Sequence, residues 1–269
     1  MKPKLVSAGS ARLISACALL LSGGGADAAS IAIINTVRYD GNQPVGNNLT
    51  TQGSVDWTYW AAATSGGTSY GSEMVPTNDK LGGSAISNLS LVGSGNLRAS
   101  DTADASARYT WTDGSLASWT SRTNQNLPGG LIFSSALNTP GAGFSLTVAG
   151  AVAGQTYYVM LYLGGFAATG NLSLSLPGVL SPVTDNTQVF GSSAPKSIVG
   201  YQVAFTPDSA NDSLTVSYTS SATTSNGHVG IEAVVVGTSE ITPVPPIPEP
   251  TAAMLGGLGS LLLFLRRKV

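Results

Sequence analysis

The chain has one cysteine, one histidine and little charge: Cys17, His228 and 10% Asp, Glu, Lys and Arg across 269 residues. A single thiol closes no intramolecular disulfide, and one imidazole offers no His or Cys cluster for zinc or copper. One histidine still permits a Ser-His-Asp arrangement, but no Gly-x-Ser-x-Gly elbow accompanies it. The expected place for His228 is a solvated turn at the start of the last strand. Long apolar runs are absent except at the two ends, and no helical periodicity is evident between them.

Cations are scarcer in the middle than the composition suggests. Six of the twelve, Lys2, Lys4, Arg12, Arg266, Arg267 and Lys268, lie at the termini. Residues 29–250 hold the other six, Arg38, Lys80, Arg98, Arg108, Arg122 and Lys196, against thirteen carboxylates. That acidic body argues against nucleic acid or anionic lipid as a partner, because counterion release needs clustered Lys and Arg.

Both ends read as targeting segments. Lys2, Lys4 and Arg12 form a basic region before the apolar run Leu13–Leu21. Ala26-Asp27-Ala28 then supplies small residues at the two positions a signal peptidase reads. Residues 1–28 are the expected signal peptide, cut after Ala28, with the secretion machinery as partner. A rival is open: Ile14-Ser15-Ala16-Cys17 resembles a lipobox, although the apolar run continues past Cys17.

At the other end, Pro248-Glu249-Pro250 precedes a fourteen-residue apolar run, Ala252–Leu265, closed by Arg266-Arg267-Lys268. The prolines keep a helix from extending backwards, and the basic cluster sets a cytoplasmic stop. Such a helix spans ~21 Å against roughly 30 Å of hydrocarbon, so it crosses only with local thinning or snorkelling. This pattern resembles the PEP-CTERM sorting signal of Gram-negative bacteria. The resemblance implies an exosortase-type processing enzyme acting at Pro248-Glu249-Pro250 and a transient stay in the inner membrane. It covers only about residues 243–269.

Residues 29–238 read as all-β. Gly, Ser, Thr and Asn are frequent, and short alternating runs recur between turn clusters such as Asp113-Gly114, Pro128-Gly129-Gly130 and Pro140-Gly141. The predicted strands are 30–38, 85–92, 107–112, 131–134, 143–148, 156–163, 171–176, 199–205, 213–219 and 228–236. Leu172-Ser173-Leu174-Ser175-Leu176 and Leu214-Thr215-Val216-Ser217-Tyr218 alternate most cleanly, apolar on one face and hydroxyl-bearing on the other. About ten strands in one block predict a single two-sheet β-sandwich, jelly-roll-like. Residues 239–247 form a Pro-rich linker, and 248–269 the sorting tail with its short transmembrane helix.

Several phrases carry a second resemblance. Val55-Asp56-Trp57-Thr58-Tyr59-Trp60, Tyr109-Thr110-Trp111-Thr112-Asp113-Gly114, Gly141–Leu146, Leu161–Phe166 and Leu214–Thr219 follow one another in that order. The order is similar to that of galactose-binding-like β-sandwich modules of bacterial extracellular proteins. It departs at Ala61, where those modules carry Gly, and at Leu163, where they carry Val. The resemblance implies a sandwich that often binds glycans.

Trp119, Trp57 and Tyr59, with Asp113 and Arg122, are the candidate glycan contacts: aromatics for the C–H face of a sugar, polar groups for its hydroxyls. Strict alternation puts Trp57 and Tyr59 on one face and Trp60 on the other, so at least one of them is structural. Trp111 is expected in the core. No cofactor is expected beyond a structural calcium ion, for which Asp40, Asp208 and Asp212 lie in the candidate loops. The leading expectation is a non-enzymatic surface or extracellular-matrix protein associated with biofilm exopolysaccharide. The alternative is a carbohydrate-binding module, and a secreted hydrolase comes third.

Overall fold

The computed structural model describes residues 28–40, 46–61, 68–99, 107–125, 131–192 and 197–243. Ala26, Pro248, Glu249, Pro250, Arg266, Arg267 and Lys268 lie outside them. Among the described residues no helix is long and apolar enough to cross a membrane, and Ala252–Leu265 is outside that set.

The chain runs β1 (Ser30–Tyr39), β2 (Asn47–Asn48), α1 (Leu49–Gln52), β3 (Asp56–Tyr59), β4 (Ser69–Gly71), β5 (Glu73–Met74) and β6 (Asn78–Asp79). It continues with β7 (Leu89–Val92), β8 (Leu97–Ala99), β9 (Tyr109–Trp111), β10 (Arg122–Gln125), β11 (Ile132–Ser134) and β12 (Gly143–Ala149). The last elements are β13 (Tyr157–Ser175), β14 (Val183–Asp185), β15 (Val189–Phe190), β16 (Ile198–Thr206) and β17 (Ser213–Gly237). The all-β expectation holds. The one-turn α1 and a 3-10 turn at Ala117–Trp119 are the helices among the described residues.

Fourteen strands belong to one hydrogen-bonded sheet, and β2, β9 and β10 form a small second one. Two predicted strand pairs turn out to be continuous: 156–163 with 171–176 as β13, and 213–219 with 228–236 as β17. These two pair antiparallel along most of their length, from Tyr158↔Gly237 to Ser175↔Thr215. Their pairing is broken by register shifts at Tyr162/Leu163, Phe166/Ala168 and Thr169/Gly170. Bulges bend strands and increase twist, so both strands turn the corner together.

Before the corner, β13 is flanked by β16 and then β1, and β17 by β3 and β11. After it, β13 is flanked by β14 and β15, and β17 by β12, then β7 and β5. The sheet thus folds back and nearly closes on itself.

A core fills the fold. Val159, Leu161, Val203 and Phe205 from the first half pack with Phe144, Leu146, Leu172, Leu174 and Val216 from the second. The alternating runs Leu172–Leu176 and Leu214–Tyr218 supply their apolar face, as their period requires. Within 157–163 and 231–237 both faces are packed and, Glu232 apart, apolar, because a second core lies on the outer side. There Met160, Tyr162, Ala233 and Val235 meet Leu49, Tyr109 and Trp111, carried by α1 and the small sheet. α1 starts at Asn48, whose side chain accepts from Thr51 N at 3.0 Å, an N-cap that satisfies one otherwise unpaired donor.

Candidate functional site

The sequence candidates Trp57, Tyr59 and Asp113 do come together, but inside the molecule. All four residues of β3 are buried. As the alternation requires, Trp57 and Tyr59 face the outer core and Trp60 the inner one. Both faces of this strand are interior, because the small sheet covers the outer side. Trp57 and Tyr59 are 0% and 1% exposed, so neither ring has a face for a sugar to stack on. They are corrected here to core residues, and Trp111 is in the core as expected. The side chains of Trp119 and Arg122 lie outside the described set; their backbones form the 3-10 turn and the start of β10.

The outer core is a run of six rings. Successive centroids are 6.2 Å apart for Tyr39–Tyr162, 5.2 Å for Tyr162–Tyr109 and 5.3 Å for Tyr109–Tyr59. Tyr59–Trp111 and Trp111–Trp57 follow at 5.4 and 5.6 Å. Tilted and edge-on pairs at these separations each add about 0.5–1.5 kcal/mol beyond burial. The polar ends of the rings are tied off. Tyr109 donates to Glu232 Oε2 at 2.5 Å, Tyr162 to Gln52 Oε1 at 2.9 Å, and Trp57 Nε1 to Asp113 Oδ1 at 2.9 Å.

Asp113 also accepts from Thr50 Oγ1, and Lys80 Nζ stands 3.4 Å from its Oδ2. Partial burial pushes its carboxyl up, but these hydrogen bonds and the Lys80 ammonium outweigh that and hold it below the usual carboxylate range. Its work is to fasten α1, β3 and the end of β9 together.

The calcium candidates fall in two places, Asp40 in one and Asp208 beside Asp212 in the other. Asp40 is engaged by Arg38 Nε at 3.0 Å. Asp208 and Asp212 lie in the turn before β17, where Asp212 O accepts from Gly150 N at 2.8 Å. Among the described residues no three His, Cys, Asp or Glu side chains converge on a metal position. His228 is not in a solvated turn. It is 9% exposed and stacked on Phe133 at 4.0 Å and on Phe166 at 5.8 Å. Its Nδ1 lies 2.8 Å from Asn226 O, and a carbonyl only accepts, so Nδ1 carries the proton.

A polar cluster that the sequence reading missed sits where the folded sheet nearly closes. On one side of the seam are Arg38 of β1 and Tyr201 of β16; on the other are Asp185 of β14 and Phe190 of β15. Tyr201 donates to Asp185 Oδ2 at 2.7 Å across the seam, and Arg38 lies 5.4 Å from the centroid of the Phe190 ring. Asp185 Oδ1 accepts from Thr187 N and Thr187 Oγ1 at 3.0 and 2.7 Å. Partial burial pushes the Asp185 carboxyl up, and these bonds overcome it and hold it below its ordinary range.

Tyr218 of β17 reaches toward the same place. Its ring crosses Gly170 so closely that a Cβ there would fall on the hydroxyl. That hydroxyl is buried without a hydrogen-bond partner. Burial, then the Asp185 charge, raises its pKa well above the ordinary tyrosine value.

Beside the cluster, at the corner of β13 and β17, is an open groove of about 310 Å³. Ala167, Thr169, Val189, Ser192, Thr223 and Thr224 are among its lining residues, and no charged side chain is. Ala167 has φ 47°, a left-handed backbone that a Cβ-bearing residue seldom adopts, and it marks the bulge. The sequence signal for this region was Asp185-Asn186-Thr187-Gln188, a polar run between two strand segments that reads equally as an ordinary turn. No family model, no curated protein and no solved structure matches this chain.

Proposed function

We propose that the chain is a non-enzymatic protein of the bacterial cell surface or extracellular matrix, exported through residues 1–28 and processed at Pro248-Glu249-Pro250. Its body is a jelly-roll-like sandwich, which the facing halves of the large sheet support. One observation carries the reading: Pro248-Glu249-Pro250 stands directly before the apolar run Ala252–Leu265, which Arg266-Arg267-Lys268 closes. Ala28 is exposed while Ala29 packs against the inner core, and at the other end Ile241 is 3% exposed in the outer core. Cuts after Ala28 and at Pro248–Pro250 would therefore spare these contacts.

The partners in this reading are signal peptidase, an exosortase-type enzyme, the inner membrane in passing, and exopolysaccharide at the destination. Replacing Pro248, Glu249 and Pro250 together with Ala should leave an uncleaved form in the inner membrane. Arrival of that variant at the surface with its normal mass would refute the sorting reading.

A second reading, a carbohydrate-binding module, is favoured by the uncharged, hydroxyl-lined groove at the corner of β13 and β17. Trp57 and Tyr59 take no part in it.

A further inference from the structure

We propose that Asp208 and Asp212 form a receiving site for the α-ammonium group that removal of residues 1–28 creates on Ala29. The inference rests on the export reading, with its cut after Ala28, and says what that cut does to the fold.

Two independent placements bring the new terminus to these carboxylates. The first is register. β1 and β16 pair antiparallel with Ser30 opposite Thr206. Continued outward, this register sets Ala29 opposite Pro207 and Ala28 opposite Asp208. The second is contact. A Cβ built on Gly178 would lie 2.8 Å from the Ala29 Cβ and 2.7 Å from Asp208 Oδ2, so both atoms stand close to one point. Gly178 has φ 83°, in the turn where Val179 N donates to Leu176 O, and glycine alone adopts that backbone without strain. Ala29 packs against the inner core, as does Val179, while Ala28 is exposed.

The two carboxylates have no cation of their own. Burial, then a hydrogen bond shared with Asp208 and the charge of that neighbour, pushes the Asp212 carboxyl up. The ion pairs among the described residues are Arg38–Asp40 and Lys80–Asp113, and neither involves this turn. Before the cut the nitrogen of Ala29 is a neutral amide with a single N–H. Water then adds across the Ala28–Ala29 bond: the carboxylate leaves with residues 1–28, and the amine stays on Ala29 and takes up a proton. A positive charge with three N–H donors appears where the register and the glycine contact place Asp208.

The donor count selects this occupant over a metal ion. Calcium takes about six to eight oxygen ligands, and no third acidic side chain joins the pair among the described residues. An ammonium has three donors, which two carboxylates can accept between them. Removal of the leader therefore completes this end of the fold, tying the start of β1 to the turn before β17.

The test uses the exported protein as recovered from cells, with its first residue identified by peptide mapping. Acetylation of the α-amine by an active ester near pH ~7, below the ordinary α-amino value, is followed by mass spectrometry. Ala29 should be the first residue. Its amine should react about 2- to 5-fold faster in the double variant Asp208→Asn, Asp212→Asn than in the wild type, the worth of an exposed ion pair, because pairing holds the proton on nitrogen. The difference should shrink in roughly 1 M salt. Asp40→Asn, which removes the same kind of charge beyond the far end of β1, should leave the rate unchanged. Equal rates in the wild type and the double variant would overturn the pairing and leave the export reading standing. A mature chain that begins at another residue would overturn the pairing and the cut after Ala28 together.

Discussion

Trp57 of β3 donates its indole N–H to Asp113, just after β9, at 2.9 Å, joining the large sheet to the small one. The same carboxylate accepts from Thr50 of α1 and faces Lys80, so three separate segments depend on one side chain.

Asp113→Ala is accordingly expected to destabilise the protein by about 1–3 kcal/mol, because the buried indole N–H loses its acceptor. Urea unfolding at neutral pH measures it. The folded carboxyl titrates below its unfolded value of about 3.9. Its contribution is therefore complete above that pH and lost as the pH falls through the folded value. Wild type should lose stability over that acid range more steeply than Asp113→Asn.

Gly170→Ala should cost about 1–3 kcal/mol, the usual penalty for forcing an extra carbon into a packed core. Its Cβ would lie 2.1 Å from the Tyr218 hydroxyl and 2.6 Å from the adjacent ring carbon. Adding Tyr218→Phe should recover only part of the loss, since the ring carbons remain in the way. Thermal unfolding of the two single variants and the double variant reads this out.

Alkaline titration should separate the tyrosines sharply. Burial pushes Tyr39 up to about 12 and also raises Tyr109, Tyr162, Tyr201 and Tyr218 well above the ordinary tyrosine value. An unfolded tyrosine ionises near 10. Stability is thus undiminished below that pH and falls as the pH rises through the gap between unfolded and folded values. The ultraviolet absorbance of these tyrosinates should appear only as the chain unfolds, in one cooperative step. A smooth titration of all nine tyrosines near pH ~10 would contradict the burial described.

Much of the fold was legible from period alone. Leu172–Leu176 and Leu214–Tyr218 announce one buried face each, and both face inward. The same logic put Trp57 and Tyr59 opposite Trp60, correctly, yet it could not say that both sides are covered. Alternation identifies faces; whether water or another layer meets a face depends on where α1 and β9 pack. The long strands read as separate pieces because period-2 alternation lapses between 163 and 171, where Gly164, Gly165 and Gly170 lie, and between 219 and 228. In the structure they line a corner that both strands pass while still paired. Asp185 and Tyr218 are 33 positions apart, and only the folding back of the sheet brings them to one seam.

The sorting reading stands or falls on the ends of the mature chain. Intact-mass measurement of the protein recovered at or beyond the cell surface tests it most directly. The mass should correspond to a chain that begins at Ala29 and lacks Ala252–Leu265 and the Arg266-Arg267-Lys268 cluster, whether or not a further group has been added in exchange. A surface form whose mass retains every residue through Val269 would contradict the account.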